Sequence, residues 1–312
     1  MKFTDVMGCV STAIILLLVS AWIPFIGPLF SLLTPLPFLY YTTKLGPYQG
    51  LKIVFLSFLI IGLIAKLAGS MQIIFLCVEL GLLGLIISGI FRRGLTFGLT
   101  IFWGTTFMLF IGVLFLLLIS LSKKMGPIEF ILDYFQANLR EFINASKDMT
   151  LEQEKVLQLQ EFSKFLSGFI SKVYPSFAII GAGLVVWGNV IICKPLFRIR
   201  NLKYPEFGPM DQWRTPELMV WGFIAAGFAS FLTTSTVKLL AVNAIIVMSV
   251  IYVFHGISIV LFFLKKYNVN TWVRVGVFLL IILQQLFLVM LALAGLFDQW
   301  MDFRKIFKNK IV

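Results

Sequence analysis

Long apolar runs, several closed by paired basic residues, dominate this sequence. Met71 to Phe91 ends at Arg92-Arg93, Leu95 to Leu121 runs up to Lys123-Lys124, and Val237 to Leu264 ends at Lys265-Lys266. A helix of about 20 apolar residues is what it takes to cross the hydrocarbon core of a bilayer. Six further segments qualify by pattern: Met7 to Phe25, a shorter Ser31 to Thr43, Gln49 to Leu67, Val173 to Cys193, Pro216 to Thr234 and Thr271 to Phe297. No segment shows the period-two alternation of a membrane barrel. The expectation is an all-α, polytopic transmembrane bundle of about eight to nine spans. Its parts are N-terminal membrane helices over 1–122, an amphipathic extramembrane insertion over 123–172, and C-terminal membrane helices with a short tail over 173–312.

Composition excludes the alternatives. With 60% hydrophobic and only 13% charged residues, the chain departs from a soluble globular domain in both quantities. It is equally unlike a disordered chain, which is too poor in apolar side chains to collapse. The 26 Lys and Arg against 14 Asp and Glu do not signal nucleic acid. They fall in short runs between apolar segments, where they hold loops in the cytoplasm. Cys9, Cys77 and Cys193 have no pairing spacing and read as small buried hydrophobes. The N-terminus lacks a small-residue cleavage site before the first break, so the first run is expected to be a retained span.

Nine spans from a cytoplasmic N-terminus keep Lys44, Lys52, Arg92, Arg93, Lys194, Arg198, Arg200, Lys203, Arg214, Lys265, Lys266 and Arg274 in the cytoplasm. Lys66 and Lys238 are then left in outer turns. The tail objects, since Arg304, Lys305, Lys308 and Lys310 end outside after nine crossings. Either one counted segment does not cross, the proline-rich second being the first candidate, or the tail tolerates its position.

The one hydrophilic stretch, Lys123 to Lys172, holds seven of the 14 acidic residues and seven basic ones. Ile128, Ile131, Phe135, Leu139, Phe142 and Ile143 repeat at helical spacing, and so do Val156, Leu159, Phe162, Phe165, Phe169 and Ile170. Thr150 with Gln153 resembles a capping box opening the second of two amphipathic helices. These lie in the interface plane, form a lid, or simply connect. The Asn144-Ala145-Ser146 sequon carries meaning only in a glycosylating host.

Polar groups at membrane depth are costly and mark candidate sites. Glu79 is the sharpest: a ligand for substrate or proton, or a packing acid bonded to a neighbouring helix. His255, the only histidine, lies mid-span beside Gly256 and reads more readily as an interhelical bond than as a ligand. Asn243, Gln284, Gln285 and Asn189 are further candidates of the same kind. Pro24, Pro28, Pro35 and Pro37 mark a broken-helix region of the sort that lines transporter sites, or else one that only ends and tilts helices. No P-loop, dinucleotide-binding, zinc-protease or nucleophile-elbow motif occurs, and no Cys/His cluster. No enzyme, cofactor or metal is expected. Loop acids such as Asp211 and Glu206 are what remains for catalysis.

Two regions carry a family resemblance. Thr34 to Tyr41, followed by Lys44-Leu45-Gly46-Pro47-Tyr48-Gln49-Gly50-Leu51, resembles the proline-rich helix and Gly-Pro-x-x-Gly passage of the substrate-binding (S) components of energy-coupling-factor transporters. Pro216 to Trp221, His255-Gly256 and Gly295 to Arg304 resemble the YybS-like bacterial membrane proteins, the DUF2232 family. The resemblance implies an S-component-like core with extra C-terminal helices, in the bacterial cytoplasmic membrane. It further implies a small-molecule binding or transport subunit, with coupling and ATPase subunits as partners. The small-residue docking stripe of S components is broken here, because Ala13 is followed at that spacing by Leu17 before Ala21. A non-transporting scaffold or assembly factor is the alternative.

Overall fold

In the computed structural model, residues 2–22, 27–67, 71–147, 153–205 and 207–308 are described, and all their regular structure is helical. The chain forms two compact units, Met1–Ser163 with Gly181–Phe207, and Lys164–Ile180 with Gly208–Val312.

The first unit contains α1 (Phe3–Trp22), α2 (Gly27–Ser31), α3 (Pro35–Leu45), α4 (Pro47–Leu67), α5 (Met71–Arg92), α6 (Phe97–Ser122), α7 (Pro127–Lys147) and both ends of α8 (Gln153–Ile199). The short helices α2 and α3 run back alongside α1. Gly27 packs on the Ser20 carbonyl, the Tyr41 hydroxyl lies against Gly8, and Lys44 Nζ pairs with Asp5 at 2.7 Å. A proline suits the first turn of a helix, where its missing N–H is no loss, and Pro35 opens α3 in this way. The helix buries Pro35, Pro37, Phe38, Leu39 and Thr42. Gly84 of α5 allows the approach, for a Cβ there would stand 2.6 Å from the Pro35 carbonyl oxygen. The apolar core gathers Leu39, Leu80, Leu83, Ile87, Val186, Val190 and Phe197. A second cluster joins Val6, Cys9, Ala13, Phe38, Ile53 and Cys77. All three cysteines are buried and free, as expected.

In the second unit, a 3-10 turn (Met210–Gln212) and α9 (Leu218–Ala229) precede α10 (Ser235–Lys266), α11 (Thr271–Leu283), α12 (Gln285–Met301) and α13 (Phe303–Lys308). The segment from Asp211 to Phe223 follows α10 in reverse. Asp211 pairs with Lys265, Trp213 with Ser258, Thr215 with His255, and Phe223 packs on Tyr252. Helices α10 and α12 meet backbone to backbone, because Gly256 lies on the Leu291 carbonyl and Gly295 on that of Tyr252.

Among the described residues, six helices are long and apolar enough to cross a membrane, or seven if the bent pair α11 and α12 counts as one span. This is fewer than the expected eight to nine spans, and in three places an apolar run does not form one long helix for a physical reason. Prolines leave α3 with 11 residues. Helix α9 has 12, because the chain up to Pro216 is extended apart from the 3-10 turn. The ninth run is broken by 102° at Gln284, whose backbone is extended (φ −111°, ψ 105°). The second amphipathic helix does not stop before the sixth apolar run, since α8 continues through both for 47 residues. Thr150 of the expected capping box lies outside the described residues.

Gly256→Ala should cost about 1–3 kcal/mol, because the added methyl meets backbone that cannot step aside. Gly276→Ala, with nothing within 4 Å, should leave the detergent melting temperature unchanged or slightly raised.

Candidate functional site

The close contact at Gly256 and Gly295 brings His255 of α10 to Asp298 of α12. Its Nε2 lies 3.1 Å from Asp298 Oδ2 and its Nδ1 3.0 Å from Thr215 Oγ1. Gln299 Nε2 donates to Thr215 Oγ1 at 2.6 Å, and the Phe303 backbone N–H donates to Asp298 Oδ1 at 2.8 Å. The Trp213 ring stands edge-on to the imidazole at 6.2 Å. His255 and Asp298 are each only 1% exposed, so this pair is cut off from water, while Gln299 is half-buried.

The partners fix the direction of the hydrogen bonds. A carboxylate only accepts, so Nε2 carries the ring proton, and Nδ1 of the neutral ring accepts from the Thr215 hydroxyl. Thr215 in turn accepts from Gln299. The order hydroxyl, imidazole, carboxylate matches a hydrolytic triad by residue type, but the oxygen here is already engaged twice and Thr215 is 5% exposed.

A charged rim surrounds the network. Arg304 is buried and donates through Nη2 to the Trp213 carbonyl and Ser258 Oγ, at 3.0 and 3.1 Å. Arg214 grips Asp302 with both terminal nitrogens, at 2.7 and 3.2 Å. With Lys305 assisting, that grip holds the Asp302 carboxyl down at about 2, while Asp302 in return raises Arg214. Asp302 adopts a left-handed conformation (φ 43°) after α12 and turns the chain into α13.

The sequence-selected residues scatter. Asn243 lies three turns before His255 on α10 and does a different job. Its Oδ1 accepts from Ser176 N–H at 2.9 Å and its Nδ2 donates to the Lys172 carbonyl at 2.8 Å. Those groups are four residues apart on α8, on either side of the register that Pro175 disturbs, so Asn243 is spliced into the helix. Glu79, in the first unit, is half-buried over Gly112 of α6, where a Cβ would stand 3.2 Å from its Oε1. Phe75 and Phe115 meet edge to face one turn away at 5.7 Å. No hydrogen bond or ion pair reaches the Glu79 carboxylate among the described residues. Gln284 and Gln285 are exposed at the break between α11 and α12. Asn189 donates to the Leu32 carbonyl between α2 and α3 at 2.8 Å. Pro35 and Pro37 are buried at the start of α3, and Pro28 lies in α2. Pro24 and Glu206 lie outside the described residues. Asp211 is taken up by Lys265 at 3.1 Å. No group of three or more His, Cys, Asp or Glu side chains suited to a metal occurs among the described residues.

Sequence reasoning found His255 but missed Thr215, Ser258, Asp298, Gln299 and Arg304 as its company. A signal was present: Pro216 to Trp221, His255-Gly256 and Gly295 to Arg304, which carry the C-terminal resemblance, meet at or beside this network. Asp298→Ala leaves the His255 and Phe303 N–H groups unpaired in a dry site. It should destabilise the protein by about 2–5 kcal/mol, read as a lowered melting temperature in detergent.

No curated protein and no solved structure matches the chain. The family model described as "Predicted membrane protein (DUF2232)" matches residues 11–299. The chain belongs to the DUF2232 family of membrane proteins.

Proposed function

We propose that this integral membrane protein is a small-molecule binding or transport subunit, similar in role to an S component, and not an enzyme. The observation that carries this reading is Glu79. A carboxylate on a membrane-spanning helix is expensive unless it is paired or lines a site. This one sits over a glycine, beside an aromatic pair, with no partner among the described residues. The broken passage α2–α3 adds support, because irregular backbone in a membrane is tolerated where it is buried in protein or lines a cavity. Purified protein should show a ligand-induced rise in melting temperature with at least one member of a broad metabolite panel, and Glu79→Gln should remove it without lowering the unliganded melting temperature. A panel without any shift, or a shift that survives Glu79→Gln, overturns the reading.

The same reading places the protein in a bacterial inner membrane with its N-terminus in the cytoplasm. The return of α2 and α3 beside α1, and of Asp211 to Phe223 beside α10, supports counting both as broken crossings. Eight crossings then bring Lys44, Arg92, Lys265 and the basic tail to one side. A reagent that cannot cross membranes should label Lys305→Cys from the cytoplasmic face and Glu129→Cys from the outer face only.

A scaffold role is the second reading. It is favoured by α11, which exposes Trp272, Val273, Leu279, Leu280, Ile282 and Leu283. Co-purification in mild detergent separates the two: coupling and ATPase subunits support transport, and other envelope proteins support a scaffold.

A further inference from the structure

We propose that the Gln299–Thr215–His255–Asp298 relay is a proton-binding site whose occupancy reverses the two hydrogen bonds at Thr215 and loosens the grip of α12 on the start of α9. This does not rest on the role given to Glu79.

In the arrangement described above, every polar atom of the relay is used except one. Gln299 Oε1 is buried and has no partner among the described residues, while the other end of the same amide donates to Thr215 Oγ1 and, at 3.4 Å, to the Pro216 carbonyl. That orphan oxygen is what a second state requires. When His255 takes up a proton, Nδ1 becomes a donor and Thr215 Oγ1 must accept from it. The Thr215 hydroxyl proton then needs a new acceptor. A half-turn of the Gln299 amide exchanges its two ends and presents Oε1 to that proton. The two bonds at Thr215 are re-formed with opposite polarity, Nε2–H donates to Asp298 as before, and the added proton sits on the ring between Asp298 and Thr215. What is lost is the contact of Gln299 Nε2 with the Pro216 carbonyl, two residues before α9 begins, and the turned amide leaves its N–H groups without a described acceptor.

The surroundings suit a ring that changes charge. Asp298 faces it at 3.1 Å. The Arg304 guanidinium is buried on Ser258, one turn along α10. From the segment before α9 come Arg214, Asp211 and Glu217. Arg214 is neutralised by Asp302, itself shared with Lys305, and Asp211 by Lys265. On α10 itself, Tyr252 lies one turn away with its hydroxyl unpartnered.

Because the chain has one histidine, protein labelled with ring-15N histidine gives a single pair of ring resonances. In detergent at neutral pH the neutral ring should carry its proton on Nε2, with Nδ1 as acceptor. On acidification both nitrogens should become protonated. Amide hydrogen exchange over 217–220 should accelerate about tenfold with the same midpoint, the scale of one lost hydrogen bond. Gln299→Leu leaves the neutral relay intact but strands the Thr215 hydroxyl once the ring is charged, so the midpoint should move down by about one pH unit. A proton on Nδ1 in the neutral ring overturns the proposal. So does ring titration without a change in exchange over 217–220, or an unmoved midpoint in Gln299→Leu. The first two measurements use the unaltered protein and decide the matter even where the variant does not fold.

Discussion

In a bilayer, backbone groups released by a broken helix cannot turn to water, so something in the protein must take them. This constraint runs through the whole molecule. Where α2 gives way to α3, the Asn189 amide takes the Leu32 carbonyl. At the end of α3, Arg92 takes the Thr42 carbonyl at 2.6 Å. At Pro175, Asn243 spans the opened register of α8. Before α9, Ser258 holds the Met210 and Trp213 carbonyls. After α10, Arg274 holds that of Val269 at 2.8 Å, and after α12, Asp298 holds Phe303 N–H. Polar side chains that look like ligands when read one at a time are largely the caps of helix breaks.

His255 and Asp298 extend this logic into a network. Two glycines let the α10 and α12 backbones touch, and that contact sets the imidazole and the carboxylate at bonding distance. Burial then raises the stakes of every hydrogen bond, because in a dry site an unpaired group loses its full solvation. The relay is therefore closed and nearly fully satisfied, with one free oxygen on Gln299. Glu79 differs in kind. It caps no backbone and pairs with no described residue, which is why the binding reading rests on it and not on the more elaborate cluster.

Much of this was legible in order and little of it in company. The apolar runs announced α1, α4, α5, α6 and α10 to within a few residues, since length and hydropathy are local properties. At Ser31–Thr43, Pro216–Thr234 and Thr271–Phe297 the apolar run does not form one long helix, since Pro35, the non-helical approach to α9 and the bend at Gln284 cut it. At Lys172, where a change of polarity suggested a boundary, helix α8 continues from Gln153 to Ile199. Asn243 and Asn189, selected from the sequence as polar groups at membrane depth, both bond to backbone.

The sequence by itself determined that the chain lives in a membrane and is helical, and which family it belongs to. It did so because the cost of exposing polar groups to hydrocarbon is written residue by residue in twenty-residue runs and short motifs. Only the tertiary structure decided that Thr215, His255, Asp298 and Gln299 form one network while Gln284 and Gln285 stand apart from it. Thr215 and His255 lie 40 residues apart along the chain, and His255 and Asp298 a further 43. Their meeting depends on which backbones glycine allows to touch, and no local pattern of hydropathy records that.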